Sequence, residues 1–363
     1  MKDTREAVNA LIRGRPFRTV VAPLWDGIFA AGVVAKEYAS DVTTDELLDV
    51  ADLCGFDPIL RLGSDLLWAP VESLRVETKT EQNGETRRHT SRFSCPAGEV
   101  ELVAEEPRKT SATCTKDGTR SEDLYEVIEW YIREILDNAN VMREQAVKLA
   151  GKYGGEACLC TGWMTPFELS FLAYPHIITL YLDNRERHHE LMELQMELIS
   201  LILDVTAKAG FDGYHTAGPP IELIGDKLYD EVATSYLERI REIAHEKGMW
   251  FSFHNCGHIR RLLEKGTYNR VMPDMFETLA PPPMGELDDL RWAREKFDSA
   301  ICTRGNFDLE FLKTGDPRDI SARSAEILRE TSGYRHIVGT ADEILSGTPV
   351  ENVQAMVEGA FSG

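Results

Sequence analysis

The chain has 363 residues and a formal net charge of −21 at pH 7, from 61 Asp and Glu against 40 Lys and Arg. Such an acidic excess argues against broad binding to nucleic acid or another polyanion. The N-terminus shows no signal-peptide pattern, and no apolar run approaches the roughly 18 residues of a membrane helix, so we expect a cytoplasmic, soluble protein. Seven cysteines spread along the chain indicate free thiols or metal ligands rather than a disulfide framework.

Apolar, β-prone runs alternate with helical patterns along the chain. Strands are predicted at 19–27 and before Ser64, with six more ending near Thr161, His215, His254, Glu277, Asn306 and Asp342. Helices are predicted at 43–55 with Thr43 or Thr44 as N-cap and Gly55 as stop, at 121–153, 185–208 and 226–247, and after Thr348 as N-cap with Pro349 at the first position. This alternation predicts parallel βαβ units, and eight strands predict a single-domain (β/α)8 TIM barrel over residues 1–363.

Residues 74–118 interrupt this alternation. The segment alternates polar and apolar residues and contains Asn83 followed by Gly84, a pair that favours a tight turn. It is predicted to form a β-hairpin insertion after the second strand. Its charged residues suit a solvated lid or partner surface, and a decorative insertion is an equally good interpretation.

The run WFSFHNCGH, residues 250–258, is predicted to be a buried strand that ends in a reactive loop. Gly257 gives the backbone freedom that lets His254 and Cys256 direct an imidazole nitrogen and a thiolate to one point. Those two donors are the softer half of a zinc site. The alternative is a strand end with an ordinary core cysteine and a surface histidine.

Several polar residues fall at or just after the carboxyl ends of the predicted strands. In a TIM barrel this face carries the active site, so residues that are far apart in sequence are expected to converge there. The set comprises Asp26, Asp65, His215, His254, Cys256, Glu277, Asn306 and Asp342.

The FHNCGH run, the GNFD of the seventh strand and the GTPVENVQAMVEGA tail resemble the uroporphyrinogen decarboxylase superfamily. This superfamily includes the decarboxylase, the cobamide-dependent methyltransferases and, more distantly, the catalytic barrel of cobalamin-independent methionine synthase. The order of these segments covers essentially the whole chain apart from the insertion.

The resemblance implies a zinc site. The methyltransferases bind zinc through His-x-Cys on the fifth strand, which His254 and Cys256 match, and through a cysteine on the eighth strand, where this chain departs and has Asp342 nearest. Glu277 resembles the glutamate ligand of cobalamin-independent methionine synthase. The expected ligands are therefore His254, Cys256 and Glu277, with Asp342 as a fourth ligand or a residue behind the ligands, and Cys302 in reserve.

The decarboxylase itself fits less well. It uses no metal, and its arginine-rich N-terminal strand region holds a substrate with many carboxylates, whereas the matching residues 22–32 here contain no arginine and include Asp26. Asp65 matches the position of the decarboxylase aspartate that faces the pyrrole nitrogens, which keeps this alternative open.

The resemblance therefore implies a zinc-dependent methyltransferase of the O-demethylase type. A zinc with carboxylate ligands is more Lewis acidic and suits an ether oxygen, so a small methylated compound, preferably a methyl ether, would give its methyl group to the Co(I) corrinoid of a partner protein. His215 would protonate the leaving oxygen or bind substrate, and a structural histidine that caps a loop is an equally good interpretation. Asp26 and Asp65 would orient the substrate or a metal ligand, and Asn306 would contact the cofactor. The alternatives are transfer from a methylcobamide to a thiol or folate, a metal-free decarboxylase-like enzyme, and a non-catalytic corrinoid- or tetrapyrrole-binding protein.

Overall fold

The computed structural model describes residues 3–24, 27–63, 74–110, 112–116, 118, 121–169, 177–219 and 221–362. Within them, eleven strands form a seven-stranded parallel sheet and a four-stranded antiparallel sheet. The strands are β1 (Ile59–Arg61), β2 (Arg75–Asn83), β3 (Thr86–Cys95), β4 (Gly98–Pro107), β5 (Thr113–Lys116), β6 (Cys158–Gly162), β7 (Gly213–Ala217), β8 (Trp250–His254), β9 (Met275–Glu277), β10 (Cys302–Phe307) and β11 (His336–Thr340).

The helices of the described residues surround the parallel sheet and alternate with its strands. The α-helices are Thr4–Ile12, Gly27–Val33, Thr44–Cys54, Leu124–Asp137, Ala139–Tyr153, Ile177–Asp183, Arg185–Ala209, Ile221–Tyr229, Ser235–Glu246, Arg260–Glu264, Thr267–Val271, Leu290–Lys296, Leu309–Thr314, Pro317–Glu330 and Val350–Phe361. Short 3-10 turns occur at Ala39–Asp41 and Pro166–Glu168, and a π-helical turn at Asp230–Thr234. None of the helices that the structure describes is both long and apolar enough to cross a bilayer.

The parallel sheet runs in the order β1-β6-β7-β8-β9-β10-β11 and curls back on itself. Val21 connects its two edges: it bridges Val338 of β11, and its carbonyl oxygen accepts the N–H of Asp57 just before β1 at 2.6 Å. The first predicted strand, at 19–27, forms isolated bridges at Val21 and Leu24 rather than a regular strand in the described residues. The prediction of an α/β fold built on a parallel sheet is thus confirmed, and the curled sheet is consistent with a TIM-barrel-like fold. The described residues form seven of the eight predicted strands as regular strands.

The inside of the curled sheet is filled at its amino end by an apolar layer. Trp250, Met275 and Cys302 form one cluster there with Ala7 and Val8 of the first helix. Alternate residues of a strand face the same side, so the residues two and four positions later on these strands stack above that layer. The polar residues of β8, β9 and β10 therefore lie directly above this apolar layer, which we call the apolar floor.

Helix ends follow the sequence signals in some places and depart from them in others. Thr43 caps Thr44–Cys54 through a capping box with Glu46, and Gly55 ends that helix in the left-handed region at φ 81°, as predicted. The helical pattern at 121–153 is two helices, because Asn138 adopts a non-helical backbone between them. The pattern at 226–247 is likewise divided by the π-helical turn.

The last helix starts one residue later than its sequence signal indicates. Its N-cap is Pro349, and the first helical residue is Val350. The hydroxyl of Thr348 donates to the carbonyl of Leu345 at 2.8 Å instead of capping the helix.

The insertion is a meander of four antiparallel strands, β2 to β5, rather than a single hairpin. Its first turn lies at the predicted place, because Asn83 pairs with Thr86 around Gly84. Arg87 makes one of the contacts between the insertion and the rest of the chain. Its guanidinium forms two bonds to Asp41 at 2.9 and 3.0 Å and lies 3.6 Å from the centroid of the Tyr38 ring.

We expect Arg87→Ala to lower the free energy of unfolding by about 1 kcal/mol, because it removes both a cation–π contact and a bidentate ion pair that are partly exposed. Urea denaturation measures this change. Arg88→Ala is the matched control. Arg88 is the next residue along the strand, is exposed, and forms a 3.4 Å contact with Glu105. Equal effects of the two substitutions would show that the contact with Tyr38 and Asp41 does not anchor the insertion.

Candidate active site

The register of the parallel strands places polar residues of three neighbouring strands side by side. His254 of β8 pairs with Glu277 of β9, and Glu277 pairs with Arg304 of β10. One step lower, His215 of β7 pairs with Ser252 of β8. Side chains at paired positions on one face of a sheet are close neighbours. The inner face of the sheet thus gathers these residues near its carboxyl edge.

Glu277 is the centre of this cluster and is fully buried. Its Oε1 forms an ion pair with Nη2 of Arg61, and its Oε2 forms one with Nη1 of Arg304 at 3.0 Å. Arg304 also donates from Nε to the carbonyl of Ala22 at 2.8 Å and from Nη2 to the carbonyl of Pro23. The carboxylate therefore ties β1 and β10 together, and Arg304 extends this connection to the segment that precedes the second helix.

Both histidines of the cluster approach the same carboxylate oxygen. His254 Nδ1 lies 3.5 Å from Glu277 Oε1, and His215 Nε2 lies 4.0 Å from it. The ring centroids of the two imidazoles are 6.4 Å apart. His215 Nδ1 and the hydroxyl of Ser252 form a hydrogen bond of 3.1 Å, which fixes the plane of that ring.

The charges of the cluster differ from residue to residue. Burial would raise the pKa of Glu277, but Arg61 and Arg304 outweigh it and hold that pKa well below its usual value. Burial, together with the positive charge of Arg61, holds the pKa of His215 well below its usual value, so this imidazole is neutral at pH 7. Burial opposes the protonation of His254, yet its contacts with Cys256 and Glu277 raise the pKa of His254 to about 9.

The loop after β8 brings the predicted His-x-Cys pair together. His254 is buried at the end of the strand, whereas Cys256 is exposed two residues later. The two side chains interact, and Gly257 turns the chain with φ 81°. The strand ends at His254, so the backbone leaves strand geometry between His254 and Cys256, as the sequence pattern indicated.

The other predicted site residues have different positions. Asp26 and Asp65 lie outside the described residues. Asn306 is buried near the end of β10, and its Oδ1 has no hydrogen-bond partner among the described residues. Asp342 lies two residues beyond β11, where it accepts the N–H of Glu343 at 2.8 Å. Cys302 lies at the amino end of β10, in the apolar floor.

The described residues do not form a complete metal site. Within them, no group of three or more His, Cys, Asp or Glu side chains has the geometry to hold a metal ion. His254 and Cys256 supply a nitrogen and a sulfur donor, but both oxygens of Glu277 already form ion pairs with arginines, and Asp342 accepts the N–H of Glu343.

Three members of the cluster were not among the residues predicted from the sequence: Arg61, Arg304 and Ser252. The available signal was a charged residue inside an apolar strand, in FDPILRLG and in SAICTRGNFD. Arginine is rarely buried without a partner, so two such arginines indicate a shared buried carboxylate. Ser252 gives no comparable signal, because a serine within a strand is common.

A cavity of about 490 Å³ lies beside this cluster. Pro23, Leu47, Phe56 and Leu60 contribute apolar walls, while Arg61 and Arg304 reach it from the cluster. Its volume lies within the range of small-molecule sites, which are mostly apolar with a few polar groups.

The sequence profile of the uroporphyrinogen decarboxylase (URO-D) family matches residues 121–361. The chain belongs to the uroporphyrinogen decarboxylase family. The match spans the FHNCGH loop, the GNFD strand and the C-terminal helix, and so confirms the superfamily that these segments resemble. The cluster around Glu277 lies within the matched region except for Arg61, which belongs to β1.

Two solved structures are similar to this chain. A methyltransferase from Methanosarcina mazei is similar over 98% of this chain and 98% of its own, with a TM-score of 0.65 and 15% sequence identity. A B12-independent methionine synthase from Shewanella sp. W3-18-1 aligns over 86% of this chain and 84% of its own, with a TM-score of 0.44 and 12% identity. At 15% identity the first likeness shows a shared fold. None of the curated proteins matches the chain at a significant level.

Proposed function

We propose that this uroporphyrinogen decarboxylase family member is a methyltransferase that moves a methyl group from a small methylated compound, preferably a methyl ether, to the Co(I) corrinoid of a partner protein. We further propose that His254 and Cys256 bind a zinc ion and that the chain closes into a (β/α)8 barrel. The observation that carries the proposal is the contact between His254 and Cys256 at the carboxyl edge of the sheet, in a chain that shares its fold with a methyltransferase.

The surroundings of the site support a small substrate. The cavity beside Arg61 and Arg304 has the volume and the apolar walls that a compact organic molecule needs. His215 is neutral, and Ser252 fixes its ring, so an N–H of its imidazole offers a hydrogen bond to a leaving oxygen without adding charge. The role of these residues is to bind and orient the methylated compound so that transfer occurs in line.

One observation favours a second candidate. Glu277 is neutralised by two arginines, which is the arrangement of a structural ion-pair centre rather than of a metal ligand. A metal-free, decarboxylase-like enzyme is therefore the alternative proposal. Activity that chelators leave unchanged, with loss of carbon dioxide from a substrate, would select this alternative.

Metal content tests the zinc proposal. We expect about one zinc per chain in the parent protein and loss of that zinc in His254→Ala and Cys256→Ser, because a structural or catalytic zinc depends on each protein ligand. His245→Ala is the matched control, since His245 is an exposed histidine on the helix before β8 that bonds to Asp274 at 2.7 Å. Element analysis of protein purified without chelator gives the measurement.

Glu277→Gln completes the comparison. If this variant retains zinc, Glu277 serves only as the ion-pair partner of Arg61 and Arg304. If it loses zinc, Glu277 is a third zinc ligand. Methyl transfer is then followed by the change in corrinoid absorption when methyl ethers and Co(I) corrinoid are supplied. A parent protein that holds no zinc and leaves the corrinoid spectrum unchanged with every methylated donor contradicts the proposed function.

A further inference from the structure

Asn255 lies between His254 and Cys256 and is almost completely buried, with 1% of its surface exposed. Its Nδ2 donates to the hydroxyl of Tyr229 at 3.1 Å, and its Oδ1 accepts from the hydroxyl of Tyr268 at 3.3 Å. Both tyrosines are buried as well. The amide is therefore held from two different helical segments, and no substrate is needed to explain its hydrogen bonds.

The backbone of the same turn is held from two further sides. The N–H of Asn255 donates to the carbonyl of Glu277 at 2.9 Å, and the carbonyl of His254 accepts from the N–H of Gly218 at 2.8 Å. These bonds attach the turn to β9 and to the segment after β7. Buried hydrogen bonds of this kind are costly to leave unmade, so the turn has one preferred conformation.

Gly218 makes room for the Asn255 amide. A Cβ at this position would lie 2.5 Å from Asn255 Nδ2 and 2.9 Å from the hydroxyl of Tyr229. Contacts this short force one of the groups to move. A glycine is therefore required where the turn, the amide and the tyrosine meet, although φ of Gly218 is not in the left-handed region.

We propose that Asn255 is a positioning residue that sets the separation of His254 and Cys256. The inference rests on the proposed function, in which His254 and Cys256 together bind the zinc ion. Asn255 acts through the turn: its amide fixes residue 255 against Tyr229 and Tyr268, so the buried imidazole before it and the exposed thiol after it keep their contact.

Gly218→Ala and Tyr229→Phe test the proposal without changing either member of the pair. In metal-free protein, we expect each substitution to change the rate of alkylation of Cys256 by iodoacetamide about fivefold, the factor that corresponds to one lost hydrogen bond of ordinary strength. Affinity for Co(II) alone, followed by visible absorption, should weaken by a similar factor. A residue that only stabilises the fold would lower the unfolding midpoint and leave both readouts at the parent value.

Gly151→Ala and Tyr181→Phe are the matched controls. A Cβ at Gly151 meets no atom within 4 Å, and the hydroxyl of Tyr181 bonds to Glu231 rather than to the turn. Unchanged alkylation in folded Gly218→Ala and Tyr229→Phe would overturn the proposed role of Asn255. If the parent protein binds no Co(II), that result counts against the proposed metal site, and the alkylation rates still decide the role of Asn255.

Discussion

Glu277→Ala is expected to lower the free energy of unfolding by about 3–5 kcal/mol, the cost of leaving a buried charge without its partner. Glu277 is fully buried, and the side chains of Arg61 and Arg304 that it neutralises are only 18% and 3% exposed. Removing the carboxylate leaves two guanidinium groups facing each other inside the curled sheet. Denaturant unfolding of the parent and the variant measures the difference.

A surface ion pair of similar geometry gives the control for Glu277. Glu193 forms two bonds of 2.7 Å with Arg239, but both side chains are about half exposed. Glu193→Ala should cost about 0–1 kcal/mol, because water screens and replaces an exposed pair. The double substitution Glu277→Ala with Arg304→Met should recover part of the loss, since it removes one of the unpaired charges. Equal losses for Glu277→Ala and Glu193→Ala would contradict the central role of Glu277.

The stability of the chain should depend on pH through Glu168. This residue lies in the loop after β6, and its Oε2 accepts from the N–H of Thr165 at 3.1 Å and from its hydroxyl at 2.8 Å. Burial outweighs these bonds and raises the pKa of Glu168 from 4.5 to about 7. The folded state keeps the proton of Glu168 to a higher pH than the unfolded chain does. The protonated carboxyl therefore adds to the free energy of unfolding below about pH 4.5, and this contribution is lost as pH rises through about 7.

Glu168→Gln keeps the shape and the acceptor but has no proton to lose. We expect the free energy of unfolding of the parent to fall relative to that of Glu168→Gln by about 3 kcal/mol between pH 4.5 and pH 8, as a pKa difference of this size implies. Denaturant unfolding at a series of pH values gives both curves. Parallel curves for the two proteins would show that Glu168 is ionised in the folded state at neutral pH.

The apolar, β-prone run that ends in a polar residue was the most informative sequence signal for the site. It predicted that His254 ends β8 and that Glu277 ends β9, and the structure places them in register with each other. It also indicated the turn at Gly257. These features are local, because a strand end, a glycine and the face of a residue follow from the neighbouring sequence.

The partners of Glu277 are not local. Arg61 lies 216 residues before it and Arg304 lies 27 residues after it. Alternation along each strand indicates that these arginines face the inside of the sheet. Only the register between the strands brings both arginines to the same carboxylate. The sequence pattern therefore predicted a metal at Glu277, and the structure shows two arginines there.

The sequence by itself determined the parallel α/β fold, the superfamily and the His254 and Cys256 pair, because each depends on residue order and short-range pattern. The tertiary structure decided which charges meet. It combined Glu277 with Arg61 and Arg304, fixed His215 against Ser252, and held Asn255 between two buried tyrosines. Long-range packing sets these contacts, since a buried charge or amide selects its partner from whichever strands and helices the fold brings within hydrogen-bond distance.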